Sequence, residues 1–378
     1  MKINILQITQ ATVGGVYEYL KLLVEKIDRS KFNITIVCPK IDESHIAKFN
    51  ELGIRVHIIQ MEREICISKD FRAVIQLVKF IKDNKFDIVH LHSSKAGAIG
   101  RIACFLCRIP CIYTPHGWAF NMDITSIKKK LYIYIERFLG LFTKYIIAIS
   151  PAEKYNAVNY KIGQERKIIL ITNGIDIKRF SKTETKKYEF RRYLGIEPSV
   201  RVIGMVGRLS EQKDPITFVK VAKKIISKYS NVRFILVGDG ELRHDVEVLI
   251  KKEGISDYIT ITGWVSNVEQ YISIFDIGVL TSKWEGFGLV LAEYMAAKVP
   301  VVASNVDGIP NVITNGVTGI LVEKGDVDEF ANAILKILDN KTLKDSFTQN
   351  GYKKVVDEFD INRVIKQHEE LYSSLISD

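Results

Sequence analysis

The chain has 378 residues, 47% of them hydrophobic and 26% charged, a balance that excludes a disordered or low-complexity polymer. The length exceeds what one hydrophobic core usually holds, which predicts two domains of comparable size. The net charge of +10 lies wholly in the first part: residues 1–180 hold 28 Lys and Arg against 16 Asp and Glu, or +12, leaving 26 against 28, or −2, for the rest. Such charge is often only a solvated surface; with no zinc-finger, helix-turn-helix or RNA-binding signature beside it, an anionic membrane face ranks ahead of nucleic acid as its partner.

In chain order, residues 1–6 run straight into a strand and lack the form of a signal peptide. Runs rich in β-branched residues at 3–8, 33–38, 56–59, 88–91, 111–114 and 145–149 alternate with amphipathic stretches of helical length. Continuous apolar strands alternating with helices predict a parallel sheet covered on both faces, a doubly wound domain. The apolar stretch 131–149 contains Glu136, Arg137 and Lys144, which are costly in lipid, so it is predicted as a buried helix followed by a strand. Cys38, Cys66, Cys104, Cys107 and Cys111 sit among apolar neighbours, and no Cys or His pair completes a zinc pattern. They are read as reduced thiols of a cytosolic protein. From 176 to 198 the chain turns polar and Lys-rich, through Lys182, Thr183, Glu184, Thr185, Lys186 and Lys187, which predicts the inter-domain connection. Strand-like runs resume at 202–206, 233–237, 258–261, 277–280 and 299–303, so a second parallel sheet follows. Ligands of such sheets bind outside the carboxyl ends of the strands, and two tandem domains of this kind would leave a cleft for them.

The residues that carry chemistry fall at those carboxyl ends. Gly14 and Gly15 stand between the first strand and a helix, where the backbone can approach a ligand and helix amides face it; a plain tight turn explains them equally well. His116 follows the strand 111–114 between Pro115 and Gly117, and suits a satisfied structural residue as well as a sugar-contacting or charge-stabilising one. Gly207-Arg208 and Lys213 lie on the loop after 202–206, before a helix that Asp214 could cap with Pro215 in its first position. The two cations are placed to pair with a diphosphate. Gly238-Asp239-Gly240 resembles half a dinucleotide fingerprint, but Arg243 occupies the place of the third glycine, so it is read as a turn bordering the cleft and an NAD site is disfavoured. The densest constellation runs from Glu285 through Gly286, Phe287, Gly288, Leu289 and Val290 to Glu293. A helix starting near Gly288 would aim the amides of residues 287–290 at a diphosphate, while its two carboxylates could reach opposite ends of a nucleotide sugar. Asp326-Val327-Asp328 matches a metal-binding Asp-x-Asp pattern, yet it opens an amphipathic helix, where Asp is an ordinary cap.

Together these residues resemble glycosyltransferase family 4, retaining enzymes of the GT-B fold, over essentially the whole chain. The resemblance rests on Gly14-Gly15, His116-Gly117-Trp118, Asn173-Gly174-Ile175-Asp176, Gly207-Arg208 with Lys213, and Glu285 seven residues ahead of Glu293 in the family's E-x7-E motif. It implies an α/β architecture of two doubly wound Rossmann-like domains facing a central cleft. Residues 1–180 would bind the acceptor and 199–359 the nucleotide sugar, with a C-terminal helix at about 360–378 packing back on the first domain. Arg208, Lys213, Glu285 and His116 would form the catalytic set: the two cations on the donor diphosphate, Glu285 on the transferred sugar, His116 near its primary hydroxyl. Gly14, Gly15, Asn173, Gly207, Gly238, Val265, Gly286, Phe287, Gly288, Leu289, Val290 and Glu293 would complete the donor site, Glu293 on the ribose.

The resemblance further implies chemistry with neither metal nor cofactor, the nucleotide sugar being a substrate. His92-Ser93-Ser94-Lys95-Ala96-Gly97 and the run Pro115–Phe120 look most like bacterial capsule, exopolysaccharide and O-antigen enzymes. The expected reaction moves a hexose or N-acetylhexosamine from a UDP-sugar to a lipid-linked saccharide. The expected location is the cytoplasm, with peripheral attachment to the inner face of the cell membrane. Rival readings are a UDP-sugar epimerase, a GDP-mannose-dependent mannosyltransferase and a non-enzymatic nucleotide-sugar-binding partner.

Overall fold

The protein is described by a computed structural model covering residues 2–377 except Val13, Asp42, Arg63 and 182–186. Val13 of the first glycine turn and residues Lys182 to Lys186 of the expected connection therefore lie outside the described residues. The chain divides into two compact units, Met1–Gly174 with Ile361–Asp378, and Ile175–Asp360.

The first unit alternates β1 (Ile3–Thr9), α1 (Gly15–Lys26), β2 (Phe32–Cys38), α2 (Glu43–Glu51), β3 (Arg55–Ile58), α3 (Ile67–Asp83) and β4 (Ile88–His92). It continues with α4 (Ser94–Cys107), β5 (Cys111–Thr114), α5 (Ser126–Gly140), β6 (Tyr145–Ala148), α6 (Pro151–Asn159) and β7 (Ile168–Leu170). The seven strands are parallel in the order β3-β2-β1-β4-β5-β6-β7. The strands are apolar throughout because both faces are covered. Ile5, Ile34 and Ile112 pack with Leu20 and Leu23 of α1 on one face, and Leu6, Val89 and Tyr113 pack with Leu77 of α3 and Ile99 of α4 on the other.

The second unit holds α7 (Ile177–Ser181), α8 (Lys187–Tyr193), β8 (Arg201–Val206), α9 (Pro215–Ile226), β9 (Val232–Val237), α10 (Arg243–Lys252), β10 (Ile259–Ile261), α11 (Val268–Ser273) and β11 (Ile277–Leu280). Then come α12 (Leu289–Ala296), β12 (Val301–Ser304), α13 (Ile309–Val312), β13 (Gly319–Val322), α14 (Val327–Asp339) and α15 (Lys341–Glu358). Its six parallel strands run β10-β9-β8-β11-β12-β13. The last helix, α16 (Ile361–Ser377), belongs to the first unit, where Val364, Ile365, Tyr372 and Leu375 join the cluster around α1.

Three features differ from the sequence expectation. Each sheet gains an edge strand, β7 and β13, of only three and four residues. The passage 176–198 carries two short helices, α7 and α8, among its described residues. The stretch 131–149 does contain the end of a helix and a strand, but α5 is not a buried helix. Only Ile133, Glu136, Leu139 and Gly140 turn inward, because a helix lying on one face of a sheet buries one stripe and leaves the opposite side to solvent. The five cysteines carry no disulfide.

Candidate functional site

Both sheets reverse strand order once, between β1 and β4 in the first and between β8 and β11 in the second. Loops leaving the two strands of such a switch point diverge and open a crevice. Glu285 and Lys213 occupy those loops in the second unit.

The β8 loop is shaped first by its neighbour. Gly207 N–H donates to Val237 O at 2.9 Å and Leu209 N–H to Asp239 O at 3.0 Å, so the loops after β8 and β9 lie against each other. A Cβ on Gly238 would fall 2.1 Å from Gly207 O, and its φ of 139° is itself a glycine conformation. Gly238 thus serves loop packing, and its bridge to Gly263 brings in the loop after β10 that carries half-buried Val265 beside exposed Trp264. Asp214 caps α9: its carboxylate accepts from Thr217 N at 3.3 Å and Thr217 Oγ1 at 2.6 Å, with Pro215 in the first turn.

Lys213 Nζ donates to Glu285 Oε1, joining the two switch-point loops. Glu285 is 7% exposed. It also accepts from Ser282 Oγ at 2.9 Å, its backbone N–H donates to Asp307 Oδ2 at 3.0 Å, and its carbonyl accepts from Gly308 N at 3.0 Å. Thr281 Oγ1 donates to the carbonyls of Lys213 and Asp214 at 3.0 and 2.9 Å, and Gln212 Nε2 to Trp284 O at 3.1 Å, stitching the loops along their length. A carboxylate this buried persists because it is paired and hydrogen-bonded. Arg208 stands apart from this pair: it is exposed and donates to Glu241 Oε2 at 2.9 Å.

The helix after Glu285 begins where the sequence placed it. Gly288, at φ 83° and ψ 54°, is the N-cap of α12, so the amides of Leu289 and Val290 fall in a first turn that has no intrahelical acceptors for them. Phe287 is buried edge-on to Phe359 at 5.1 Å, which leaves only its backbone for a ligand. Glu293 is half-buried in the second turn. Asp326 caps α14 by accepting from Glu329 N at 2.9 Å, and Asp328 pairs with Lys224, so this Asp-x-Asp is occupied structurally. Among the described residues no group of three or more His, Cys, Asp and Glu side chains is placed to hold a metal ion.

In the first unit Gly14, at φ 81° and ψ −168°, caps α1, and Gly15 opens the helix with both residues exposed. Asn173 is buried with its Oδ1 lacking a hydrogen-bond partner. Trp118, beside His116, is a core residue, stacked on Phe120 at 5.2 Å with its Nε1–H donating to Glu153 O at 3.0 Å.

His116 is the visible end of a polar network that sequence reasoning missed. It has φ 54° and packs against Tyr19 at 4.9 Å between ring centroids. Gln7 Nε2 donates to Tyr372 OH at 3.2 Å, so its Oε1 accepts from His92 Nε2–H at 2.7 Å. That tautomer makes His92 Nδ1 the acceptor of His116 Nε2–H at 2.9 Å. His90 is hydrogen-bonded to two hydroxyls, Tyr372 OH at Nδ1 at 2.6 Å and Thr114 Oγ1 at Nε2 at 2.8 Å. His368 Nδ1–H donates to Val364 O at 2.9 Å, and its Nε2 accepts from Tyr19 OH at 2.8 Å. For neutral rings these partners fix the tautomers of His92, His116 and His368. Desolvation pushes His116 down to about 3 and His368 to about 4, and lowers His90 and His92 well below their ordinary value, with the neighbouring imidazoles adding to the effect on His116, His90 and His92. His116 thus keeps an unprotonated Nδ1. It can accept from a hydroxyl. The signal that could have found this network is the spacing of His90 and His92, which puts both side chains on one face of a buried strand.

The sequence matches two family models: Glycosyltransferase Family 4 over residues 13–179 and Glycosyl transferases group 1 over residues 186–354. It is 30% identical to the UDP-Gal:alpha-D-GlcNAc-diphosphoundecaprenol alpha-1,3-galactosyltransferase of Escherichia coli, over 93% of this chain and 92% of that protein. It is 29% identical to the capsular polysaccharide biosynthesis glycosyltransferase CapM of Staphylococcus aureus, over 85% of this chain and 86% of that protein. Among solved structures, Anabaena HepE in complex with UDP and glucose superposes with a TM-score of 0.86 at 22% identity, covering 98% of this chain and all of that one. Sucrose-phosphate synthase of Thermosynechococcus elongatus does so with 0.83 at 21%, covering both chains in full. The chain therefore belongs to glycosyltransferase family 4, and its two doubly wound units are those of a GT-B glycosyltransferase.

Proposed function

We propose that the protein is a retaining, metal-independent glycosyltransferase that moves a hexose or N-acetylhexosamine from a UDP-sugar to a lipid-linked saccharide, in the assembly of a cell-surface polysaccharide. The observation that carries this reading is the Lys213–Glu285 pair across the switch point of the second sheet. It holds a cation, a carboxylate and the first-turn amides of α12 on two adjacent loops.

In this reading the departing UDP gains negative charge as the glycosidic bond breaks, and Lys213 and the amides of Leu289 and Val290 stabilise it by preorganised electrostatics. Arg208, now on Glu241, exchanges that exposed carboxylate for the diphosphate; a surface pair of this kind costs little to break. Glu285 holds hydroxyls of the transferred sugar, and Glu293 those of the ribose. His116 accepts from a sugar hydroxyl through Nδ1. The acceptor hydroxyl attacks from the face that UDP leaves and passes its proton to the leaving phosphate, so the anomeric configuration is kept. The UDP and lipid-diphosphate specificities follow the names of the relatives, notably the galactosyltransferase of Escherichia coli.

The acceptor's lipid puts the enzyme to work as a peripheral protein on the inner face of the cell membrane. Among the described residues no helix is long and apolar enough to cross a membrane. The direct test is Lys213→Ala, assayed by UDP release with a competent acceptor. A loss of about 100-fold or more is expected for removing a preorganised charge stabiliser, and activity within a few-fold of wild type overturns the assignment.

A further inference from the structure

The outward stripe of α5 has no role in the reaction above. Ile127 is 81% exposed, Leu131 51%, Tyr134 66%, Phe138 60% and Leu141 72%. Their spacing of four, three, four and three residues gathers them within an arc of about 80° on one side of the helix. The apolar surface extends beyond the helix: Phe138 touches Phe142 at 5.2 Å between centroids, Phe142 touches Phe105 of α4 at 4.4 Å, and Phe105 and Leu106 are themselves more than half exposed. A contiguous patch of this kind marks an interaction site.

The exposed charges around it are mainly positive. Lys128 and Lys130 are exposed on the two flanks of the stripe, and exposed Arg108 and Lys144 stand at the ends of α4 and after α5, against exposed Asp123 ahead of the first turn. The only carboxylate of α5, Glu136, is turned inward, held by Arg101 at 2.8 Å. An apolar stripe bordered by lysines is the pattern of a helix lying in a membrane interface, with its apolar face about 5–10 Å into the headgroup boundary and its cations among the phosphates. A second copy of the chain docked on this face would instead set these cations against their counterparts. The position also fits: α5 follows β5, whose carboxyl end carries His116, so the first turn of α5 stands at the same edge of the first sheet as that histidine.

We infer that the outer face of α5, with Phe105 and Leu106 of α4, is a docking surface for an anionic phospholipid bilayer, to which it presents the first unit edge-on. The inference rests on the proposed reading only for its purpose, the capture of a lipid-linked acceptor; the surface itself is tested apart from it. Full-length wild type, Leu131→Ser/Phe138→Ser and Lys128→Glu/Lys130→Glu are sedimented with vesicles of phosphatidylcholine, pure or with about one-third phosphatidylglycerol. Their thermal response to UDP and their mass in solution are measured on the same samples.

Wild type is expected to bind the anionic vesicles at least tenfold more tightly than the neutral ones. The apolar double variant should lose at least tenfold on anionic vesicles, and the charge-reversed one should lose the preference for anionic lipid, both with circular dichroism unchanged. Unchanged vesicle binding by Leu131→Ser/Phe138→Ser overturns the inference. So does a wild type that ignores vesicles and forms a dimer which this variant dissolves. Vesicle binding that follows the expected pattern in proteins indifferent to UDP upholds the surface and counts against the glycosyltransferase donor assignment alone.

Discussion

Acid should unfold the first unit through its buried histidines, and His368 allows the size of the effect to be worked out. It is fully buried, accepts from Tyr19 and donates to Val364 O, and its pKa lies at about 4 against an ordinary 6.5. A base whose pKa is depressed in the folded state is neutral there while the unfolded chain takes up a proton. The stability it supports is therefore complete above 6.5 and is lost as the pH falls toward the folded value of about 4. At about pH 5 the unfolded chain is favoured roughly thirtyfold over the folded one by this proton alone, which is about 2 kcal/mol relative to pH 7.5. His90, His92 and His116 shift in the same direction, and the groups around them, Tyr19, Tyr372, Thr114 and Gln7, include no carboxylate that would hold an imidazolium.

The perturbation is His368→Gln, whose amide oxygen can still accept from Tyr19 and which does not titrate. Urea unfolding is followed by the fluorescence of Trp118, with Trp264 and Trp284 replaced by Phe so that the single remaining tryptophan reports on the first unit. At an m-value of about 2 kcal/mol/M, the His368 proton alone moves the wild-type midpoint down by about 1 M between pH 7.5 and pH 5. The variant is expected to be less stable than wild type at pH 7.5 by about 1–2 kcal/mol for its imperfect hydrogen bonds, yet to lose about 1 M less of its midpoint on acidification. A variant with the same pH dependence as wild type, within about 0.3 M, refutes the assignment of the titration to this network.

Removing Lys213 alone should cost stability as well as activity, about 3–5 kcal/mol by urea unfolding of Lys213→Met, because Glu285 is left charged and buried. Lys213→Met/Glu285→Gln is expected to recover at least half of that stability and none of the activity, and additive losses would show the pair to be uncoupled. Gly238→Ala should lower the melting temperature of the second unit by more than about 5 °C, since its methyl group would meet Gly207 O and its φ would be strained. An unchanged melting temperature would show that the loops after β8 and β9 part easily.

The parallel strands were legible because burial on both faces makes them continuous apolar runs, and all eleven predicted ones match the observed bounds to within two residues. What escaped was one margin of each sheet, β7 and β13, of three and four residues; the opposite edges β3 and β10, equally short, were read at 56–59 and 258–261. The stretch 131–149 misled for a different reason. Its outward residues, Leu131, Tyr134, Phe138 and Leu141, are as apolar as its inward ones, Ile133 and Leu139, and a pattern without a polar face gives no direction for the helix to turn. The exposed stripe is the residue of that ambiguity.

The site divides the same way, by how far apart in sequence its partners lie. The helix cap at Gly288 and the Asp214–Pro215 start of α9 depend on neighbours three residues away and could be read directly. The E-x7-E spacing could be read too, but it suggests a matched pair of carboxylates, whereas the structure gives them unlike positions. Glu285 is fixed in a loop by Lys213, Ser282, Asp307 and Gly308, and Glu293 rides on a helix. That difference arises because β8 and β11 are sheet neighbours, so the partner that locks Glu285 lies 72 residues away, on a loop that no local pattern connects to it. The histidine network is the extreme case, reaching from Gln7 to Tyr372 across 365 residues. Each of its members reads alone as an ordinary core polar residue. Only the strand order, which sets β1, β4 and β5 side by side and brings α16 back over them, makes their tautomers a single arrangement ending at His116.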